Sequence, residues 1–162
     1  MAGKSRPADL LHLRRYRDAD SEAVWSLHDR ALHDAGAHAG DGPWDDDLRS
    51  ISAVYLNDGE FLVGELDGAI VAMGALRRSA PDRAEVKRMR VDPAYQRRGF
   101  GELILGRLEA RARELGVRTL FLDTTVVQTG AEQLYRKHGF IETGRAEAAG
   151  LELILFEKHL SD

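Results

Sequence analysis

The chain has 162 residues, of which 43% are hydrophobic and 31% charged. That is enough apolar material for one ordinary domain with a core of its own, and it excludes wholesale disorder. A formal net charge of -4 argues against a general nucleic-acid binder, which is usually basic. The absence of cysteine removes disulfides, thiolate zinc sites and a cysteine nucleophile together. No stretch approaches the roughly 18 apolar residues of a membrane span, and the first residues hold no signal-like apolar run. The expectation is a soluble, cytoplasmic protein without a membrane or nucleic-acid partner, folded as one domain over 1–162.

In chain order, "LLHLRRYR" (Leu10–Arg17) reads as a first strand. A helix follows, with Ser21 as N-cap, apolar residues such as Ala23, Leu27 and Ala31 at helical spacing, and Gly36 as the stop. Residues Ala37–Asp47, "AHAGDGPWDDD", form a loop, and Asp47–Leu56 a short helix. "EFLVGELDGAIVAMGALRR" is a hairpin turning at Asp67-Gly68. Ala84–Val91 is a strand whose strict alternation would put residues 85, 87, 89 and 91 on one face and 86, 88 and 90 on the other. A helix then runs to about Leu115 and stops at Gly116. "VRTLFLDTT" is a buried strand, "TGAEQLYRKHG" a short helix, and "FIETGRAE" with "LELILFEKHL" a closing pair of strands. Early and late hairpins around strand–helix–strand units make a mixed α/β fold.

The stretch between strand and long helix, "VDPAYQRRGFG" (Val91–Gly101), places Arg97, Arg98, Gly99 and Gly101 at a helix start. Unpaired amides and the positive end of the helix dipole lie there, so the stretch reads as a cradle for a phosphate or pyrophosphate. The same residues also fit a solvated basic turn. It is not a Walker A loop, and with Ile104 in place of a third glycine it is not a dinucleotide fingerprint.

Gln96-Arg-Arg-Gly-Phe-Gly101 matches Q/R-x-x-G-x-G/A, and "LFLDTTVVQTGAEQLYRKHGF" lies downstream at the right separation. With both motifs the chain resembles the GNAT-type N-acetyltransferase superfamily over about its whole length, the N-terminal third by architecture alone. The resemblance implies a central, mostly antiparallel sheet with one splayed parallel pair of strands and about four flanking helices. It implies acetyl-CoA as co-substrate, an amine as acceptor, no metal, direct transfer without a covalent enzyme intermediate, and a monomer or homodimer. It assigns the pyrophosphate to Gln96, Arg97, Arg98, Gly99, Phe100 and Gly101. The pantetheine arm falls to the strand backbone at Met89, Arg90 and Val91, with an oxyanion role for the amide near Met89. Packing of the Met89 and Val91 side chains is compatible with that use. Gln128 stands where the family often has Asn, holding the pantetheine or the short helix; Gln keeps the amide on a longer arm. Tyr135 aligns with the family's proton donor to the departing thiolate, although it also suits simple helix packing.

For an amine acceptor a base is needed, and Glu85 at the start of the strand is the first candidate, with a water relay or a salt-bridge role as rivals. The basic run from Arg77 to Arg98 suggests an acidic acceptor through Arg88 and Arg90, or a solvated face. The acidic "DGPWDDD" points instead to a basic acceptor, so the acceptor stays open. His28, His33 and His38 are spaced by five residues, about 140° apart per step on a helix, which is a poor metal pattern. Two other readings remain: a non-catalytic acyl-CoA-binding sensor or interaction module on the same fold, which would keep the glycines without needing Tyr135 or a base, and a nucleic-acid module using the basic segment, for which only Tyr95 and Phe100 supply aromatic residues among the arginines.

Overall fold

The computed structural model describes residues 10–34, 36 and 43–161. The expected His38 and residues 37–42 of the loop lie outside the described residues. Strands β1 (His12–Arg15), β2 (Glu60–Leu66), β3 (Ala69–Ala80), β4 (Arg83–Val91), β5 (Thr119–Thr125), β6 (Ile141–Ala148) and β7 (Leu151–His159) form one sheet in the order β1-β2-β3-β4-β5-β7-β6. Four α-helices accompany them among the described residues: α1 (Ser21–Asp34), α2 (Ile51–Tyr55), α3 (Phe100–Glu114) and α4 (Thr129–Lys137). Every neighbouring pair is antiparallel except β4 and β5. This is the mixed sheet with one parallel pair that the resemblance implies. Among the described residues no helix is long and apolar enough to cross a membrane.

Local chemistry explains most of the boundaries. Asp67 and Gly68 both have positive φ, 51° and 80°, the geometry of a tight two-residue hairpin turn matched to strand twist. Ala149 and Gly150 repeat it between β6 and β7. Both long-range helices end in the same double bond pattern. After α3, Val117 donates to the Ala112 carbonyl and Gly116 to that of Arg113; after α4, Phe140 donates to Tyr135 and Gly139 to Arg136. The expected strand Leu10–Arg17 is shorter because Arg17 donates its amide to the Asp20 carboxylate, turning the chain into a 3-10 turn over Asp18–Asp20. The expected helix Asp47–Leu56 is split. A 3-10 segment, Pro43–Arg49, precedes α2, and the buried Asp45 and Asp47 are what hold it in place.

The sheet carries two cores. Helix α3 covers one face with Ile104, Leu105 and Leu108, against Ala72, Leu76, Ala84 and Val86. Helices α1 and α2 cover the other, where Leu27, Ile51 and Tyr55 pack on Phe61, Val63, Met73 and Ala75. Between these layers β4 departs from strict alternation. Its register runs Leu76↔Val86, Ala75↔Lys87, then Met73↔Arg90, so β4 spends one more residue than β3. Arg88 has φ 59°, and Gly74 faces the extra residue. The bulge reverses the alternation. Met89 and Val91 join Ala84 and Val86 against α3, while Arg90, opposite Met73, turns to the α1 face. The single set of 85, 87, 89 and 91 is thus overturned: Glu85 and Lys87 do not share a face with Met89 and Val91. The physical reason is the inserted residue, which a period-two reading cannot register.

Gly74 is the steric partner of the bulge. A Cβ there would lie 2.5 Å from Ile104 Cγ2 and 2.6 Å from Met89 Sδ. Gly74→Ala is expected to destabilise the fold by about 1–3 kcal/mol through overpacking. The urea unfolding midpoint measures this, and a midpoint equal to that of the parent would show the β3–α3 contact to be loose.

Candidate active site

β4 and β5 pair only from Arg83↔Thr119 to Glu85↔Phe121. Beyond Glu85 the strands diverge, and β4 leaves its backbone edge without a ladder partner on that side. The wedge is a cavity of about 300 Å³. Glu85, Met89 and Arg90 line it from β4, Asp123–Thr125 from β5, Gln128 from the residue before α4, Tyr135 from α4, Trp44 and Asp45 from the 3-10 segment, and Leu151 and Leu153 from β7. Glu85 and Tyr135, distant in sequence, are therefore brought to one space.

Tyr135 is 4% exposed. Its ring lies edge-on to Phe140, 5.6 Å between centroids, and tilted against Phe156 at 6.2 Å. Among the described residues its hydroxyl makes no hydrogen bond. Burial pushes the phenol well above its ordinary value; Arg90 opposes this and Asp123 adds to it. Packing thus fixes the ring while the oxygen is held as a neutral phenol at the cavity. Glu85 has its pKa raised, chiefly by burial, with Lys87 opposing and Asp123 adding to the shift.

Gln128 precedes α4 as its capping residue, and its Oε1 accepts from the Thr125 amide (3.3 Å), Thr125 Oγ1 (2.8 Å) and Thr124 Oγ1 (3.4 Å). It ties the end of β5 to the start of α4, the helix-holding half of its expected role.

The turn into α3 has two left-handed residues, Arg97 (φ 62°) and Gly99 (φ 83°). Gly99 is the residue that the conformation demands. Gly101 has no positive φ; its missing side chain instead makes room for Leu134 of α4, 3.2 Å from where a Cβ would stand. Phe100 is buried in the α3 core, so only its backbone can meet a ligand. Gln96, Arg97 and Arg98 are exposed, with Arg98 stacked over Tyr95 at 5.0 Å. No side chain caps α3, and its first amides have no partner within the helix. Asp92 accepts from Ala94 N at 3.0 Å and pairs with Arg30 of α1 at 2.9 Å, which secures the turn. These features suit an anionic group at the head of α3 and a strand-like arm along β4.

A polar network behind the cavity was not legible beforehand. Arg88 reaches Asp47 through Nε (2.9 Å) and Nη2 (2.5 Å), Asp45 through Nη1 (3.1 Å), and the Trp44 carbonyl (2.7 Å). Tyr55 donates to the same Asp47 carboxylate. Arg90 Nε donates to His28 Nδ1 at 3.4 Å, so the His28 proton sits on Nε2 and is donated to Asp45 at 3.0 Å. Arg88 therefore pairs with both Asp45 and Asp47, which leaves one negative charge in excess beside His28 and Arg90. The only sequence signal was opposite charge in two segments some 43 residues apart. His28 and His33 both lie on α1, with His28 fully buried. Among the described residues no group of three or more His, Asp or Glu is placed to hold a metal ion.

The model of the acetyltransferase (GNAT) family matches residues 21–140. The chain belongs to that family. Among its relatives is an amino-acid acetyltransferase of Azotobacter vinelandii, 38% identical over 113 residues, which are 68% of this chain and 25% of that protein. An IAA acetyltransferase of Azospirillum brasilense is 39% identical over 98 residues, 60% of this chain and 64% of that one. The match thus spans about a quarter of the first relative's length and under two thirds of the second's. A GNAT-family acetyltransferase from Staphylococcus aureus Mu50 superposes with TM-score 0.86 at 20% identity, covering 93% of this chain and 99% of that one. The Salmonella typhimurium protein yncA, solved with its cofactor acetyl-CoA, gives TM-score 0.78 at 23% identity, covering 94% and 95%. At such identities these two likenesses speak for the GNAT fold alone.

The His28 environment sets a pH dependence. Burial first, then the charges of Arg90 and Arg88, lower the imidazole's pKa against the pull of Asp45. Unfolded His28 takes up a proton below about 6.5, while the folded imidazole does not. The unfolded state binds more protons there, so this contribution to stability is lost as pH falls below about 6.5. His28→Gln keeps an acceptor for Arg90 and a donor for Asp45 but does not titrate. The expected result is a smaller drop in Tm between pH 7 and 5 than in the parent; parallel Tm curves would show that His28 does not carry the effect.

Proposed function

We propose that this chain is an acetyl-CoA-dependent N-acetyltransferase that passes the acetyl group directly to an amine. The observation that carries the reading is the wedge between β4 and β5, which holds a neutral buried phenol, Tyr135, and a carboxylate of raised pKa, Glu85, in one cavity. Family membership supports acetyl-CoA as donor, and the solved GNAT neighbour with acetyl-CoA is in keeping with it.

In this reading the open edge of β4 around Met89, Arg90 and Val91 takes the pantetheine arm by strand-like pairing. The pyrophosphate lies at the head of α3, on the amides of Gly99, Phe100 and Gly101, flanked by Gln96, Arg97 and Arg98. The Met89 amide polarises the thioester carbonyl. Glu85 accepts a proton from the acceptor's ammonium, directly or through water. The amine nitrogen then forms a bond to the carbonyl carbon, and the carbon–sulfur bond breaks. The thiolate takes the Tyr135 proton, and the second nitrogen proton restores the phenol. A thiol pKa near 8.5 against a phenol held above 10 makes this transfer uphill in isolation, so it depends on the thiolate developing beside the phenol in a space with little water.

Tyr135→Phe keeps the ring packing and removes an oxygen that bonds nothing among the described residues. Stability should hold, while kcat should fall by about 10² to 10⁴ with acetyl-CoA affinity little changed. Stopped-flow thiol release and calorimetry separate the two. Parental kcat would reduce Tyr135 to packing.

Burial raises the Glu85 pKa, so the acid limb of kcat/KM should lie at higher pH than an ordinary carboxylate would give. Glu85→Gln should lower turnover most on that limb. An identical pH–rate profile in the variant would move the base to another group.

A further inference from the structure

Strand β7 opens with "LELILF", apolar on both of its faces. An antiparallel strand with one solvated face alternates apolar with polar residues, so leucines on both faces mark a strand covered on both. On one face Ile154 and Phe156 are buried in the α3 core. The other face carries Leu151, Leu153 and Leu155, all half-buried. Among the described residues the core beneath α1 and α2 holds no residue of β5 or β7, so it does not cover these leucines.

The same face carries Glu85. The last β4–β5 pair is Glu85↔Phe121, and residues opposite each other across a ladder share a face. Asp123 and Thr125 follow Phe121 on that face at two-residue steps and stand opposite Leu155 and Leu153 of β7. Leu151 comes next, opposite Ala148 of β6. Tyr135 lies on the other face, against Phe156. The cavity takes in Leu151, Leu153 and Ala148, and Leu32 of α1 and Trp44 of the 3-10 segment line it as well. Its polar groups on this face gather near Glu85. Burial raises the Glu85 carboxyl, Lys87 two residues on opposes that, and Asp123 adds to it. Arg88 and Asp45 are bonded to each other at 3.1 Å. The space is therefore polar at the Glu85 end and apolar towards the β6–β7 turn.

We infer that the acceptor is an amine on an apolar body, an alkyl or arylalkyl amine with no charge at its far end, its nitrogen towards Glu85 and its body against Leu151, Leu153 and Ala148. The inference rests on the acetyl-transfer reading above. A pocket of this make draws affinity from burial of the body and orientation from the few polar groups at one end. The body covers leucines that the fold leaves half-exposed. A second charge at its far end would lie against them without a partner, which is unfavourable.

The test uses the full chain with saturating acetyl-CoA and reads free thiol, which has no background from a chain without cysteine. Acceptors are the straight-chain amines from ethylamine to hexylamine, with the ω-carboxylate and ω-amine analogues of hexylamine. In the parent kcat/KM should rise about three- to fourfold per methylene, the effect of burying one such group. Hexylamine should exceed both charged analogues by at least about tenfold, the scale on which a mismatched group is rejected. Leu153→Asn should flatten the series. Ala148 is exposed, so Ala148→Glu is compatible with the fold and sets a carboxylate at the apolar end. It should turn the preference from hexylamine to the diamine. Tm and acetyl-CoA affinity report whether each variant is folded, and if Leu153→Asn is not, Ala148→Glu decides. A flat series in the parent overturns the inference, and with a doubled mass in solution it assigns the leucines to a second copy of the chain. Preference for either charged analogue in the parent overturns it too, as does an unchanged preference in Ala148→Glu. Thiol release with peptides or amino acids but with none of these amines overturns the inference and keeps the acetyl-transfer reading. No release with any amine, while acetyl-CoA still binds, overturns both.

Discussion

One inserted residue in β4 sets the geometry on which the site depends. At Arg88 the backbone takes a left-handed conformation, and β4 slips by one against β3. Residues before the slip and residues after it exchange faces. Met89 and Val91 turn into the α3 core, and Arg88 and Arg90 turn towards α1 and the 3-10 segment. The bulge also increases local twist, which helps carry β4 away from β5 after their three paired residues. Gly74 is the accommodation on the neighbouring strand, since any side chain there would occupy the space of Ile104 and Met89.

Once the bulge aims two arginines at one side, the acidic loop decides what becomes of them. Asp45 and Asp47 are drawn under Trp44 by Arg88, whose planar fork meets both carboxylates. Burial alone would raise the Asp47 pKa, but the bonds from Arg88 reverse it and the group stays ionised. With those acids consumed, His28 is left beside a cation and in a dry setting, so it stays neutral and passes a chain of hydrogen bonds from Arg90 to Asp45. The network lines the cavity on the α1 side, and Asp45 and Asp123 both act on Arg90 to favour its charged form.

On the opposite wall the short helix α4 places Tyr135 by three local devices. Gln128 fastens its start to Thr124 and Thr125, the bond from Phe140 to the Tyr135 carbonyl closes its end, and Phe140 and Phe156 hold the ring. Each acts within a dozen residues or through the adjacent β7 strand. That short range is why a nine-residue helix can hold a reactive group in place.

Much of this was legible in the residues, and what was legible has a common character. Hydrophobic periodicity, Asp67-Gly68, and the glycines at 116 and 139 act over a few neighbours, so they placed the strands, hairpins and helix ends nearly where they lie. The Gln96–Gly101 and Leu134–Tyr135 motifs are also local; they pointed to the family, and Tyr135 of the second lines the cavity. The sequence could not determine the register of β4, because a bulge is chosen by packing across Gly74 and α3 and leaves the composition of the strand unchanged. For the same reason it could not tell that Asp45 and Asp47 serve Arg88: charges in separate segments look like two independent cues until the fold brings them to 3.1 and 2.5 Å. Local conformational preference is written residue by residue. The pairing of charges and the faces they occupy come from long-range packing, and only the tertiary structure decides them.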